Sequence, residues 1–417
     1  MHINRDTYLQ KLLRRRHNGM IKVVTGPRRS GKSYLLRHIF VDYLLDQGVQ
    51  ADHIIKIDLE DRRNAALRNP DTLIAHIDGR MTDSGMYYIL LDEIQKVDEF
   101  VDVLNSYLEI ENADVYVTGS NSRLLSKDVV TEFRGRGDEI EIAPLSFSEF
   151  FPTFSGSREE ALTEYLTYGG MPKVATMSSD EEKANYLKSL FRTVYLSDIK
   201  ERYGIRNDTE LEELIKIVAS AIGGITNPTK LENTFKSIKN VSLSKNTIAS
   251  YLKILEDVFI LRRSERFDIK GKKYIDASSK YYFLDCGLRN AHLNFRQIEA
   301  THLLENAIYN ELVMRGLSVD VGVVNVVERN KDGKLQRKQL EVDFVCNKGS
   351  KRYYIQPALR LPTQEKLNQE LHSFKNIDDN FQRIVITEDL VKPHRDESGI
   401  LFMNIYDFLL DLDSLNQ

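Results

Sequence analysis

The chain has 417 residues, 41% hydrophobic and 29% charged, with 22 Gly, 9 Pro and a net charge of −4 at pH 7. That length suggests about three or four domains, and the composition excludes collagen-like, low-complexity and fully disordered chains. The charge argues against a protein that coats nucleic acid along its whole surface, while leaving room for a local basic patch.

The two cysteines, Cys286 and Cys346, have no spacing that suggests a disulfide framework or a zinc site. No apolar run approaches the ~20 residues that span a bilayer. The basic run from Lys11 to Arg16 precedes no apolar stretch, so it is not a signal peptide and reads as a solvated helix face. A reduced, cytoplasmic setting is expected.

Strands are predicted at 21–25, 53–59, 87–91, 114–118 and 138–142, with helices at 33–46, 70–79 and 98–110 between them. Such alternation predicts a parallel sheet covered on both faces, with ligands bound at the carboxyl ends of its strands. The first strand runs into Gly26-Pro27-Arg28-Arg29-Ser30-Gly31-Lys32-Ser33, a complete G-x-x-x-x-G-K-S phosphate loop, and Tyr34 opens the helix after it. Backbone N–H groups of the loop and the helix dipole favour a polyphosphate. Lys32 is placed to neutralise the β- and γ-phosphates of ATP and the Ser33 hydroxyl to ligate Mg²⁺.

The strand 87–91 ends in Asp92-Glu93. Asp92 is expected to hold Mg²⁺ and Glu93 to polarise the attacking water. The next strand ends in Thr118-Gly119-Ser120-Asn121-Ser122. Thr118, Ser120 or Asn121 would orient the lytic water or touch the γ-phosphate, Asn121 being preferred. An ordinary capped turn fits the same letters.

These motifs, with Arg134-Gly135-Arg136 and Pro144-Leu145-Ser146-Phe147-Ser148-Glu149-Phe150, resemble a prokaryotic family over nearly the whole chain. It is the AAA-type, P-loop ATPases that carry a C-terminal domain of unknown function with a nuclease-like fold. The resemblance implies that Arg136 stabilises γ-phosphate charge, in cis or from a neighbouring subunit, with Arg134 the weaker candidate. A surface arginine pairing with Glu139 or Glu141 explains Arg136 as well.

Residues 146–203 read as a helical lid interrupted by Gly169-Gly170-Met171-Pro172. In the resembled family a Gly-x-Pro lies over the nucleotide, which assigns Gly170 and Pro172 to that role here. A helix end followed by a stop reads the same way. Helices at 210–222, 229–239 and 244–255, then a hairpin from 258–263 and 266–274, make a winged helix-turn-helix. Between Lys236 and Lys280 stand 11 Lys/Arg against 5 Asp/Glu, the kind of excess DNA binding would leave. Lys245, Asn246, Ser250 and Lys253 would face outward, a thin set for reading bases. Packing on the ATPase core without DNA is the competing reading.

The motif from Lys280 to Asn290 resembles the family's junction into its last domain. A helix with Glu305 follows, then strands at 318–327, 339–345, 352–358 and 383–387 and a helix at 364–374. Glu305 and Asp343 match two positions of a metal-dependent nuclease site. The third position fails, because Gln356-Pro357-Ala358 stands where Glu-x-Lys is required. Glu341, Asp343 and Glu305 then read as satisfied polar positions or a weak ion site, and Lys366, on the following helix, is a candidate to supply the missing amine in a migrated site.

The expected architecture is α/β: an AAA-type parallel-sheet core (1–150), a helical lid (151–205), a winged helix-turn-helix (206–285) and a catalytically degenerate restriction-endonuclease-like domain (286–417). The expected activity is Mg²⁺-dependent ATP hydrolysis driving a conformational switch, with DNA as a partner through the winged helix. Two rivals are an ATP-gated DNA-binding or regulatory module without turnover, and an ATP-dependent nuclease.

Overall fold

Strands of five or six residues build the first of two units in this computed structural model, which describes residues 3–119, 133, 135–205, 208–239, 243–329, 334–358, 363–389 and 392–416. The first unit comprises Met1–Leu145, Met171–Thr176 and Asp257–Phe259. The second comprises Ser146–Gly170, Met177–Glu256 and Ile260–Gln417.

In the first unit, β1 (Ile21–Thr25), β2 (Ile54–Asp58), β3 (Tyr87–Asp92), β4 (Ala113–Thr118) and β5 (Gly137–Glu141) pair in the order β2-β3-β4-β1-β5. All four pairings are parallel. Every residue of β1 and β3 is buried, as a sheet covered on both faces requires. Ile55, Ile57, Ile89, Leu91 and Val117 share a core with Leu73 and Ile77 of the helix Pro70–Asp78 and Val103 and Leu104 of Phe100–Ser106. Each such side chain contributes about 1.5–3 kcal/mol on burial. The strand and helix positions read from the sequence agree to within a few residues, and all five carboxyl ends lie along one edge.

The second unit opens with helices Arg158–Tyr168 and Asp180–Ser189. Helices Asp208–Ser220, Pro228–Thr234 and Lys245–Asp257 follow, close to the three expected of a helix-turn-helix. Ser244 caps the third by accepting from the Thr247 N–H, and that helix buries Ile248, Leu252 and Leu255 while Lys245, Asn246, Ser250 and Lys253 stay exposed.

The hairpin differs from its expected bounds. Its strands are β6 (Leu261–Asp268) and β7 (Lys273–Phe283), longer because pairing resumes past a register shift between Glu265 and Arg266. They continue into β8 (Ser318–Arg329), β9 (Leu335–Lys348), β10 (Lys351–Pro357), β11 (Gln382–Thr387), β12 (His394–Arg395) and β13 (Leu401–Asn404). The eight form one sheet in the order β12-β13-β11-β10-β9-β8-β6-β7. β6 joins β8 in parallel, so the expected boundary at 285 falls within a single sheet. The two last strands and the helix Ile405–Leu410 lay outside the sequence reading.

Both cysteines are free and buried. Among the described residues no helix is long and apolar enough to cross a membrane.

Candidate nucleotide site

Thr25 ends β1 and Lys32 starts the helical run 32–46, so the loop between them must reverse direction in six residues. It does so through positive φ at Gly26 (133°), Arg29 (67°) and Gly31 (97°). Gly26 admits no side chain: a Cβ there would stand 2.1 Å from the Ile142 carbonyl oxygen. Lys32 is buried, and its ammonium donates to the carbonyls of Gly26 and Pro27 at 2.9 Å each. Burial pushes its amine down to about 8, against the opposing pull of the Glu93 and Asp92 carboxylates.

Register brings the other groups to the same edge. Asp58 and Asp92 are partners across β2 and β3, and Val24 faces Thr118 across β1 and β4. The Ser33 hydroxyl donates to Asp92 Oδ1 at 3.0 Å, and the Thr118 hydroxyl donates to the same oxygen. Thr118 Oγ1 in turn accepts the Glu93 N–H at 3.0 Å. Thr118 therefore spends its hydroxyl on orienting Asp92 and the start of the next turn.

Glu93 sits at φ 56°, an uncommon conformation for a residue with a side chain, and takes a hydrogen bond from the Gln95 amide. Arg37, from the helix, lies 2.5 Å from Asp58 Oδ2 and 3.6 Å from Asp92 Oδ2. Burial holds the Asp92 carboxyl above its usual range, with the Thr118 and Ser33 hydroxyls pulling the other way.

A polyphosphate fits this cradle on two observations. The Ser30 hydroxyl is fully buried in the loop and has no hydrogen-bond partner among the described residues. The Lys32 ammonium donates to loop carbonyls, acceptors that a phosphate oxygen outcompetes. For a divalent ion the nearest donors are the Ser33 hydroxyl and the Asp92 carboxylate, already 3.0 Å apart. Of the remaining loop residues, Arg28 is partly buried and Arg29 exposed, and the Tyr34 ring lies 4.9 Å from that of His38.

The other expected positions divide. Pro172 belongs to the first unit, its Cγ 3.8 Å from where a Cβ on Gly31 would stand. Gly170 instead serves the second unit, where its N–H donates to Asp285 at 2.7 Å. There Asp285 also accepts from Leu288 N–H, and Asn290 donates to the Leu166 and Thr167 carbonyls at 2.9 Å. The two motifs centred on Gly169-Gly170 and Asp285-Cys286-Gly287 thus lock together, a pairing that no local spacing announces.

Asn121, Ser120 and Arg134 lie outside the described residues. Arg136 corrects an expectation. Its carbonyl accepts the Ile21 N–H at 3.0 Å, at the amino end of β1, and it is exposed. The phosphate loop leaves the other end of that five-residue strand, about 16 Å away at ~3.3 Å per residue. Arg136 cannot serve its own chain's loop.

A family model described as an AAA domain matches residues 18–151, and one described as a domain of unknown function (DUF8612) matches residues 159–299. An uncharacterized protein of Haemophilus influenzae is 34% identical over 414 residues, 98% of either chain. An uncharacterized protein of Methanocaldococcus jannaschii is 31% identical, over 82% of this chain and 74% of its own.

Among solved structures, the ORC1 protein of Aeropyrum pernix in complex with DNA is 14% identical, covering 70% of this chain and 93% of that one, at a TM-score of 0.29. AMPPCP-bound DnaA from Aquifex aeolicus is 12% identical, covering 60% and 86%, at 0.31. Superpositions that loose say nothing about ligands or partners.

Proposed function

We propose that this chain, which belongs to the family of AAA-domain proteins that includes its Haemophilus influenzae relative, binds ATP with Mg²⁺ and hydrolyses it. The observation that carries this reading is the convergence of Lys32, Ser33, Asp92 and Glu93 at the carboxyl ends of β1 and β3.

Lys32 exchanges the carbonyls of Gly26 and Pro27 for phosphate oxygens and neutralises their charge. The loop N–H groups from Pro27 to Tyr34, Pro27 itself excepted, hold the rest of the polyphosphate, and Ser30 contributes its free hydroxyl. Ser33 and Asp92 would hold Mg²⁺, which would supply charge neutralisation to the polyphosphate. Glu93 takes the proton of the attacking water, and Asn121 orients that water. Arg136, exposed at the far end of the sheet, acts on the site of a neighbouring copy; a plain surface arginine is the competing reading.

Pro172, beside Gly31, senses whether the loop is filled and makes hydrolysis a switch. The second unit is a nuclease-like scaffold without cleavage. Its exposed row of Lys245, Asn246, Ser250 and Lys253 supports non-specific contact with DNA phosphates.

The direct test is Glu93→Gln. It should retain ATP on a filter while releasing phosphate about 10²- to 10³-fold more slowly. Undiminished turnover would remove Glu93 from the chemistry.

A further inference from the structure

Lys280 stands on β7 with its side chain 4% exposed. Three carboxylates surround its ammonium: it donates to Glu305 Oε1 at 2.9 Å and to Asp343 Oδ1 at 2.8 Å, and Glu341 Oε1 stands within ion-pair distance at 2.8 Å. Glu305 comes from the helix Ala300–Met314, while Glu341 and Asp343, two residues apart on β9, share one face of that strand.

A second layer fixes the first. The Tyr282 hydroxyl donates to Glu305 Oε1 at 2.7 Å. Gln356 donates through Nε2 to Asp343 Oδ2 at 2.5 Å and accepts the Asp343 N–H at 3.3 Å.

Carboxylates from a helix and a strand that converge on one point ordinarily surround a divalent ion. Here a nitrogen occupies the point. We propose that the Lys280 ammonium is the resident cation of this site, covalently supplied in place of a divalent ion, so that the second unit carries a cation site closed to Mg²⁺ and Mn²⁺.

Three features support the assignment. The nitrogen–oxygen distances are those of charge-assisted hydrogen bonds to Glu305 and Asp343, and a third carboxylate, Glu341, closes the ion set. Gln356 turns its amide N–H toward Asp343 and commits its oxygen to the Asp343 backbone, so it offers a hydrogen bond where an ion would need a ligand. Finally, burial alone would push the Lys280 amine down, yet Asp343, Glu305 and Glu341 together carry it above its ordinary value, which keeps the charge in place. Burial and Asp343 hold the Glu305 carboxyl above the usual range even so. With the amine removed, the same carboxylates would face one another with no cation between them.

Mn²⁺ titration of the nucleotide-free full chain, followed by electron paramagnetic resonance, tests this. The wild-type chain should bind no Mn²⁺ that depends on Asp343. Lys280→Met, which keeps the length of the side chain and removes its charge, should gain one Mn²⁺ with affinity at least about tenfold above wild type. Adding Asp343→Asn to that variant should abolish the gain. A wild-type chain whose bound Mn²⁺ is lost on Asp343→Asn would overturn the proposal. So would a folded Lys280→Met chain that gains none. If Lys280→Met does not fold, the wild-type comparison with Asp343→Asn decides the matter alone.

Discussion

Lys32 in the first unit and Lys280 in the second are both buried, and the two lysines are wired in opposite ways. Lys32 donates to two backbone carbonyls and has its amine pushed down to about 8 by burial. Lys280 donates to two carboxylates and ion-pairs with a third, and together they carry its amine upward against the effect of burial. Neutral carbonyls are weak holders of a charge, so Lys32 remains available to an anion. Carboxylates are strong ones, so Lys280 is fully employed. An incomplete set of partners marks a place where a ligand is expected, and a complete set marks a place where one has been made unnecessary.

Substitutions sharpen that contrast, the largest first. Lys280→Met should cost about 3 kcal/mol of stability in denaturant unfolding, because it strands two mostly buried carboxylates, Glu305 and Asp343. Adding Asp343→Asn should return part of the loss. If the single change costs under about 1 kcal/mol, the knot is not the finished ion set described here.

Lys32→Ala should weaken ATP binding about a hundredfold by calorimetry, close to 3 kcal/mol, with little change in unfolding. Thr118→Val removes the hydroxyl that serves both Asp92 and the Glu93 amide. It should slow turnover about thirtyfold while the ATP dissociation constant stays within about threefold. A purely structural role for Thr118 would lower stability and leave the turnover of the folded fraction unchanged.

The smallest effect is a pH dependence. Lys32 binds phosphate in its protonated form, which is complete below about 8 and lost as pH rises through that value. ATP affinity should therefore fall about tenfold between pH 7.5 and 9, in wild type but not in Lys32→Ala. A flat profile would mean that the lysine keeps an ordinary pKa in the loop.

The phosphate loop and Asp92-Glu93 were legible because each is a run of adjacent residues whose geometry follows from its own strand and turn. Position along a strand was not. Arg136 carries a suggestive motif, and only the parallel pairing of β5 with β1 reveals that it sits at the far end from the loop. Lys280 was hidden for a related reason. Its partners Glu305 and Asp343 lie 25 and 63 residues away, and they meet it because β7 and β9 belong to one sheet. The sequence pattern had instead marked Lys366, on the helix Gln364–Glu370, whose ammonium forms no ion pair with Glu305, Glu341 or Asp343 among the described residues. Thr118 was one of three residues read as orienting the lytic water or touching the γ-phosphate, whereas its hydroxyl donates to Asp92.

The continuous eight-stranded sheet has a practical corollary. An expression clone stopped at residue 285 would keep β6 and β7 but delete β8, baring a hydrogen-bonding flank along Arg266–Asp268. The same cut would strip Lys280 of the three carboxylates that hold its charge. Such a fragment should come out insoluble, and shuffling the wing between relatives should work only when the whole stretch to the carboxyl terminus travels with it.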